Sequence, residues 1–259
     1  MINCLTQDRD TRNFRMETVN IELPQTLAQI CKEHGSRFIH VSCMLATPTS
    51  QSKFYRCKWQ GENHLRKHFP EATIVRTATL YGHEDRFINL IGALYKLALG
   101  HPIVRFDAIR HPLYVGDLAE ALKRIALTED LVPRTFEAYG PEKLTMYRIL
   151  EIFNHYTFRQ VPITKLSPRL FWLYSKMYPE FRRSIIPFDL IHGLKEDELI
   201  NEEYGKLTDL GITETKPLSK TMLEYVRIFR PLHSIEVIVD ELPLEPTSEV
   251  IRASRVIKE

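Results

Sequence analysis

Apolar positions along this chain recur with two periods, and the segments they mark alternate. Met16, Val19, Leu23, Leu27 and Ile30 return every three or four residues, as on one helical face, and Gly35 stands where such a helix ends. Pro24 falls inside the stripe and predicts a kink, because its ring removes a backbone donor and crowds the preceding turn. The run Arg37-Phe38-Ile39-His40-Val41-Ser42 predicts a buried parallel strand closing on a hydroxyl. Residues 47–52 are rich in breakers and predict a loop, after which Phe54, Lys58, Gly61 and Leu65 share one face of a second helix. Thr73-Ile74-Val75-Arg76 predicts another strand. Helical stripes follow at Phe87, Leu90, Ile91, Leu94 and Leu97, and at Leu118, Leu122, Ile125 and Ala126. This alternation predicts an α/β fold whose mostly parallel strands are joined by right-handed crossovers. From about residue 141 the helical signal dominates, with Met146, Ile149, Leu150 and Phe153 on one stripe. The expected division is an α/β part over 1–140, a mainly helical part over 141–233 and an extended tail over 234–259. That tail sets six acids against three bases and is broken by Pro243 and Pro246.

With 259 residues, 44% hydrophobic and 26% charged, the chain can bury a substantial core. A net charge of +2 supplies no field for nucleic acid, which is not expected as a partner. Cys4, Cys31, Cys43 and Cys57 lack paired CxxC spacing, which favours free thiols over a disulfide framework or a zinc site. His64 and His68 have the spacing of a zinc pair, but no glutamate stands between them, and no metal site is expected. No apolar run reaches the ~18 residues of a membrane span. Asp8 and Asp10 come too early for an acid-poor presequence, and no targeting signal is read in the first residues. A dinucleotide fingerprint needs glycines two or three residues apart, so that the backbone can approach a pyrophosphate. The ten glycines here never come closer than six residues, at Gly205 and Gly211, so neither that fingerprint nor a Walker loop is present.

The chemistry of the chain concentrates in Phe54-Tyr55-Arg56-Cys57-Lys58. This stretch resembles the active-site helix of the short-chain dehydrogenases, which place a tyrosine four residues before a lysine; there the ammonium lowers the phenol pKa and the phenol protonates a substrate oxygen as a nicotinamide moves hydride. Phe54 has no proton to give, and Tyr55 is turned about one hundred degrees around the helix. The pair, the strand closing at Ser42, Thr77-Ala78-Thr79-Leu80-Tyr81-Gly82, the run from His111 to Ala119 and Glu137-Ala138-Tyr139-Gly140-Pro141-Glu142 form an ordered series. That series resembles the extended short-chain dehydrogenase/reductase family from its fifth sheet strand onward. The likeness is closer to one atypical branch, the nucleotide-binding accessory subunits of mitochondrial complex I (NADH:ubiquinone oxidoreductase). Ile2-Asn3-Cys4-Leu5, Lys32-Glu33-His34, Gly61-Glu62, Phe69-Pro70-Glu71-Ala72, Tyr81 to Phe87 and Asp209-Leu210-Gly211-Ile212 carry it, and it runs from residue 1 to about 233.

The resemblance implies a partial Rossmann-like parallel sheet lacking its first strands, in an N-terminally truncated product, with Ile2 to Leu5 ending the fourth strand. Such a sheet would leave the Ile2 edge unpaired and the apolar faces around Ile39 and Val41 only partly shielded. The resemblance further implies degenerate catalytic positions at Ser42, Phe54 and Lys58, and a cofactor side formed by Ser42, Lys58, Thr77 and Leu80. Ser42 would bond a carbonyl, Lys58 the nicotinamide ribose, and the backbone of Thr77 and Leu80 would line the nicotinamide; Thr77 departs from the proline common in the family. From the residues alone, Ser42 reads more often as a turn or cap residue and Lys58 as a solvated helix lysine, while Asp117 is structural at a helix start. NADPH is the cofactor implied, although the glycine-rich phosphate loop is absent. The implied role is a non-catalytic accessory subunit supporting assembly and stability near the quinone and membrane junction. Its partners would be other complex I subunits, with peripheral contact on the matrix side of the inner membrane. Two other readings stay open: an oxidoreductase or nucleotide-sugar epimerase using Tyr55 or another donor, and a redox-sensing or binding protein that takes nucleotide only as a ligand. Residues 165–188 combine aromatic side chains with five bases against the single acid Glu180. That mixture suits a lipid headgroup layer or a partner groove, and equally a core helix with its cations on the wet face.

Overall fold

The computed structural model describes residues 1–95, 101–128, 135–158, 162–176 and 188–230. In chain order the elements are β1 (Ile2–Asn3), α1 (Leu23–Glu33), β2 (Ile39–Cys43), α2 (Lys53–His68), β3 (Thr73–Thr77), β4 (Leu80–Tyr81) and α3 (Phe87–Tyr95). There follow β5 (His101–Ile103), β6 (Ile109–Arg110), β7 (Leu113–Tyr114), α4 (Val115–Leu127), β8 (Thr135–Ala138), β9 (Leu144–Thr145) and α5 (Met146–Thr157). The last are β10 (Ile163–Lys165), α6 (Pro168–Lys176), α7 (Phe188–Gly193), β11 (Gly205–Lys206) and α8 (Leu218–Val226).

The central sheet has the order β1-β2-β3-β8-β11 and every pairing in it is parallel, as the alternating pattern predicts. Its register sets Ile39 beside Thr73 and Val41 beside Val75, so the apolar runs of β2 and β3 lie side by side. One face packs Ile39, Val75 and Phe136 against Leu118, Ala121, Leu122 and Ile125 of α4. The other is covered by α1 and α2 through Ala28, Cys31, Leu65 and Phe69. A separate core joins α3, α5 and α8, and the parallel pair β5 and β10 ties residues from both halves of the chain to it.

Pro24 does not break its helix. The chain is helical from Met16, widens into a π-helical turn at Thr18–Glu22, and continues as α1 with Pro24 in its first turn. The wider turn rotates the face, so the buried positions are Met16, Asn20, Pro24, Ala28 and Cys31, while Ile30 is 40% exposed. Asn20 is enclosed because its amide is satisfied: Nδ2 donates to the Gln7 and Met16 carbonyls at 2.7 and 2.9 Å, and Oδ1 accepts from Thr6. A side chain at Gly61 would clash with the Asn20 carbonyl, so glycine lets α2 close on that turn. Gly35, at φ +60°, ends α1 as its position in the stripe predicts.

One expectation for the sheet edge needs correction. Ile39 is only 2% exposed, because Arg37 Nη2 donates to the Ile125 carbonyl at 2.8 Å and holds the end of α4 over β2. The open apolar position is Ile2, 43% exposed, on a strand whose only partner among the described residues is β2. Leu97, the tail over 234–259 and residues 177–187 of the cationic stretch lie outside the described residues.

Candidate functional site

Parallel strands present their C-terminal ends, and the loops that follow them, to one side of the sheet. Here β2 delivers Ser42 and β3 delivers Thr77, and the first half of α2 crosses beside them with Phe54 and Lys58. Ser42 is buried and its Oγ finds no hydrogen-bond partner among the described residues; its carbonyl accepts from Thr77 Oγ1 at 3.2 Å. Lys58 is not a solvated lysine: it is buried, and its Nζ reaches only the Val41 carbonyl, at 3.4 Å, among the hydrogen bonds described. Burial holds its pKa below the ordinary lysine value. The Phe54 ring centroid lies 6.0 Å from that ammonium. Leu80 lies in β4, paired with Leu113 of β7.

Three further groups complete this floor. His40, two residues before Ser42 on the same face of β2, accepts from Asn3 Nδ2 at 3.1 Å through Nδ1, while its Nε2 is enclosed without a partner among the described residues. Burial, with a smaller contribution from the Lys58 charge, presses its pKa down to about 3. Cys43 is pushed up to about 12 by burial, so it remains a thiol. The Tyr55 ring packs against Gly193 of α7, and burial raises its phenol above the ordinary range.

The rim is built by acids that no pattern in the sequence singles out. Asp189, at the start of α7, accepts from the Lys53 and Phe54 amides at 2.6 and 2.9 Å and from Ser52 Oγ at 2.6 Å, so the N-terminus of α2 is capped by a carboxylate from another element. Glu196 accepts from Ser50 Oγ and the Gln51 amide at 2.7 and 2.8 Å. Asp197 accepts from the Ile109 amide at 2.9 Å and pairs with Arg105 at 3.1 Å. Glu198, fully enclosed, takes the Thr79 amide at 2.7 Å, Thr79 Oγ1 at 2.5 Å and the His111 amide at 2.6 Å. The loop between Thr77 and Leu80 is therefore held from outside by one carboxylate.

The remaining sequence candidates fall elsewhere. His64 bonds to Gln25 of α1 at 2.6 Å, 6.4 Å from the His68 ring, and no cluster of three metal-ligating side chains occurs among the described residues. Asp117 sits in the first turn of α4 and accepts from the Lys216 amide at 2.8 Å.

A profile of the RmlD substrate binding domain matches residues 9–168, a stretch that contains Ser42, Phe54, Lys58, Thr77 and Leu80. The chain belongs to that family. It is similar to the mouse protein named NADH dehydrogenase [ubiquinone] 1 alpha subcomplex subunit 9, mitochondrial, with 32% identity over 253 residues, 93% of this chain and 64% of that one. The Arabidopsis thaliana protein of the same name is 32% identical over 230 residues, 83% of this chain and 57% of that one. The chain thus spans a little under two thirds of the length of these relatives. Among solved structures, the Bacillus cereus UDP-glucuronic acid 4-epimerase, in complex with UDP-glucuronic acid and NAD, superposes with a TM-score of 0.62 at 16% identity, over 87% of this chain and 74% of that one. At that identity the likeness speaks for the fold, a Rossmann-like parallel sheet with helices. None of the described helices is long and apolar enough to cross a membrane.

Proposed function

We propose that this chain is a non-catalytic accessory subunit of mitochondrial complex I that supports assembly and stability near the quinone and membrane junction, with other complex I subunits as partners. The observation that carries the reading is the pairing of Phe54 with a buried Lys58: the lysine of a reductase site is kept and its acid is gone. The similarity to relatives named as complex I subunits supports it. The enzyme alternative needs another proton donor, and Tyr55 is turned against Gly193.

Ser42, Lys58, Thr77 and Leu80 form the cofactor side of the cleft in this reading. Ser42 Oγ and Lys58 Nζ are enclosed with hydrogen-bonding capacity unspent, the chemistry a nicotinamide ribose would satisfy. NADPH, where bound, would offer hydride, but no phenol among the described residues faces Lys58 to supply the matching proton, and the nucleotide acts as a structural ligand. Residues 1–140 then provide the floor of the cleft, 141–233 its acidic rim and the partner-facing body, and 234–259 an arm. Docking falls to the stretch beginning at Lys165. Phe171 anchors α6 in the protein while Leu170 and Leu173, 56% and 53% exposed, stand outward beside Arg169. Such a helix suits peripheral contact with the anionic matrix face of the inner membrane.

The test is expression of the tagged full chain in cells depleted of their own subunit, followed by native electrophoresis. Comigration with complex I and recovery of its assembly are expected. Failure of both, or NADPH turnover by the purified chain that is lost in Lys58→Ala, overturns the proposal.

A further inference from the structure

We propose that residues 189–198 form an acidic strap that holds the α2 N-terminus and the loops at the cleft rim as one mechanical unit, and that carries displacements of α6 into the cleft. Three sets of contacts support this. The carboxylates of Asp189, Glu196 and Glu198 bind backbone amides of α2, of the loop after β2 and of the loop after β3. The strap's own carbonyls are engaged from beneath: Arg110 donates to those of Gly193 and Glu196, and Arg105 donates to that of Lys195 at 2.7 Å. The strap begins on α7, which is anchored by the fully buried Ile191 and packs against both α6 and α2. A ten-residue segment pinned on both sides has little slack, so releasing one carboxylate shifts the attachment points of the others. Short bonds from backbone amides to carboxylate oxygens make each attachment strong, and their sharing of one short backbone makes them cooperative. Displacing α6 would move α7, then Asp189, then the helix that carries Phe54 and Lys58. The biological use of this linkage rests on the docking role proposed for α6; the linkage itself does not.

Amide hydrogen exchange on the purified full chain tests it through reciprocity. In Asp189→Asn, the Thr79 and His111 amides, which Asp189 does not touch, should exchange about tenfold faster or more. In Glu198→Gln, the same should hold for the Lys53 and Phe54 amides. Val75, in the middle of the sheet, should be unchanged in both. Acceleration confined to the amides that lost their own partner overturns the proposal, as does a uniform rise that includes Val75. Phe171→Ala should accelerate all four rim amides, and Phe171→Leu, which leaves a smaller cavity, should give the same pattern at lower amplitude; no response at the rim in either variant severs α6 from the strap and overturns it. Sedimentation with anionic phosphatidylserine vesicles reads the docking role separately: a chain that fails to sediment ends that role and leaves the exchange result standing.

Discussion

The floor and the rim of the cleft handle polar groups in opposite ways. At the rim, each carboxylate of the strap meets amides that would otherwise be orphaned at a helix start or a loop. On the floor, Ser42 Oγ and His40 Nε2 are enclosed without partners among the described residues, and Lys58 has one long hydrogen bond. A satisfied rim is what stability alone would select. An unsatisfied floor costs free energy, and it persists where something other than stability keeps those residues. The contrast separates the part of the cleft that holds the fold from the part to which we assign the proposed nucleotide site.

The largest effect expected comes from the floor at low pH. His40 has a folded pKa of about 3 against an ordinary value of 6.5, so the unfolded chain binds more protons between those values. Its contribution is fully present above pH ~6.5 and is lost as pH falls toward 3, reaching roughly 4 to 5 kcal/mol at the end of that window. Denaturant titrations from pH 7 to 4 should show this loss, and a His40→Gln variant should show a much flatter profile. Equal slopes in both proteins would move the acid sensitivity elsewhere.

Next is the rim. Glu198→Ala strips three donors of their acceptor and should cost about 3 kcal/mol or more, seen as a lower urea midpoint at constant m-value. A cost below 1 kcal/mol would erase the distinction between the two regions. On the floor, Lys58→Met removes a desolvated ammonium of similar volume and should be neutral or stabilising by about 1 kcal/mol without nucleotide. It should also abolish a rise in stability with pH just below the ordinary lysine pKa, where the unfolded chain holds the extra proton. The smallest effect is expected for Ser42→Ala. Removing a buried hydroxyl that has no partner should change stability by less than ~1 kcal/mol, in the stabilising direction, while weakening any nucleotide binding measured by NADPH fluorescence. A clear destabilisation would mean that the Ser42 hydroxyl is already satisfied in solution.

The sequence showed the floor more clearly than the rim for a reason of distance. Ser42 closes an apolar run, and Phe54 and Lys58 share a helical face, so period and spacing find them. Asp189 meets Phe54 across 135 residues and Glu198 meets Thr79 across 119, and nothing local distinguishes either acid from one that faces water. The strands β2 and β3 were legible from their apolar runs, and β1 only through the family resemblance; the pairing of β5 with β10 was not, since both are three residues long and far apart. The face of α1 was misread by one position because Asn20 counts as polar in any pattern, and its burial follows from bonds to Thr6, Gln7 and Met16 that form only in the fold.

The π-helical turn at Thr18–Glu22 stores one residue of extra chain length. Deleting a single residue there would take up that store and let the helix run on as a regular α-helix, with the segments on either side keeping their relative orientation. If the residue removed is Asn20, its bonds to Thr6 and Gln7 go with it, and the loop between β1 and the helix loses its fastening. A deletion of one residue is therefore absorbed more easily at the exposed Thr18 than at the enclosed Asn20, while a tag or reporter placed in the exposed stretch Thr11–Phe14, ahead of the turn, leaves that fastening intact.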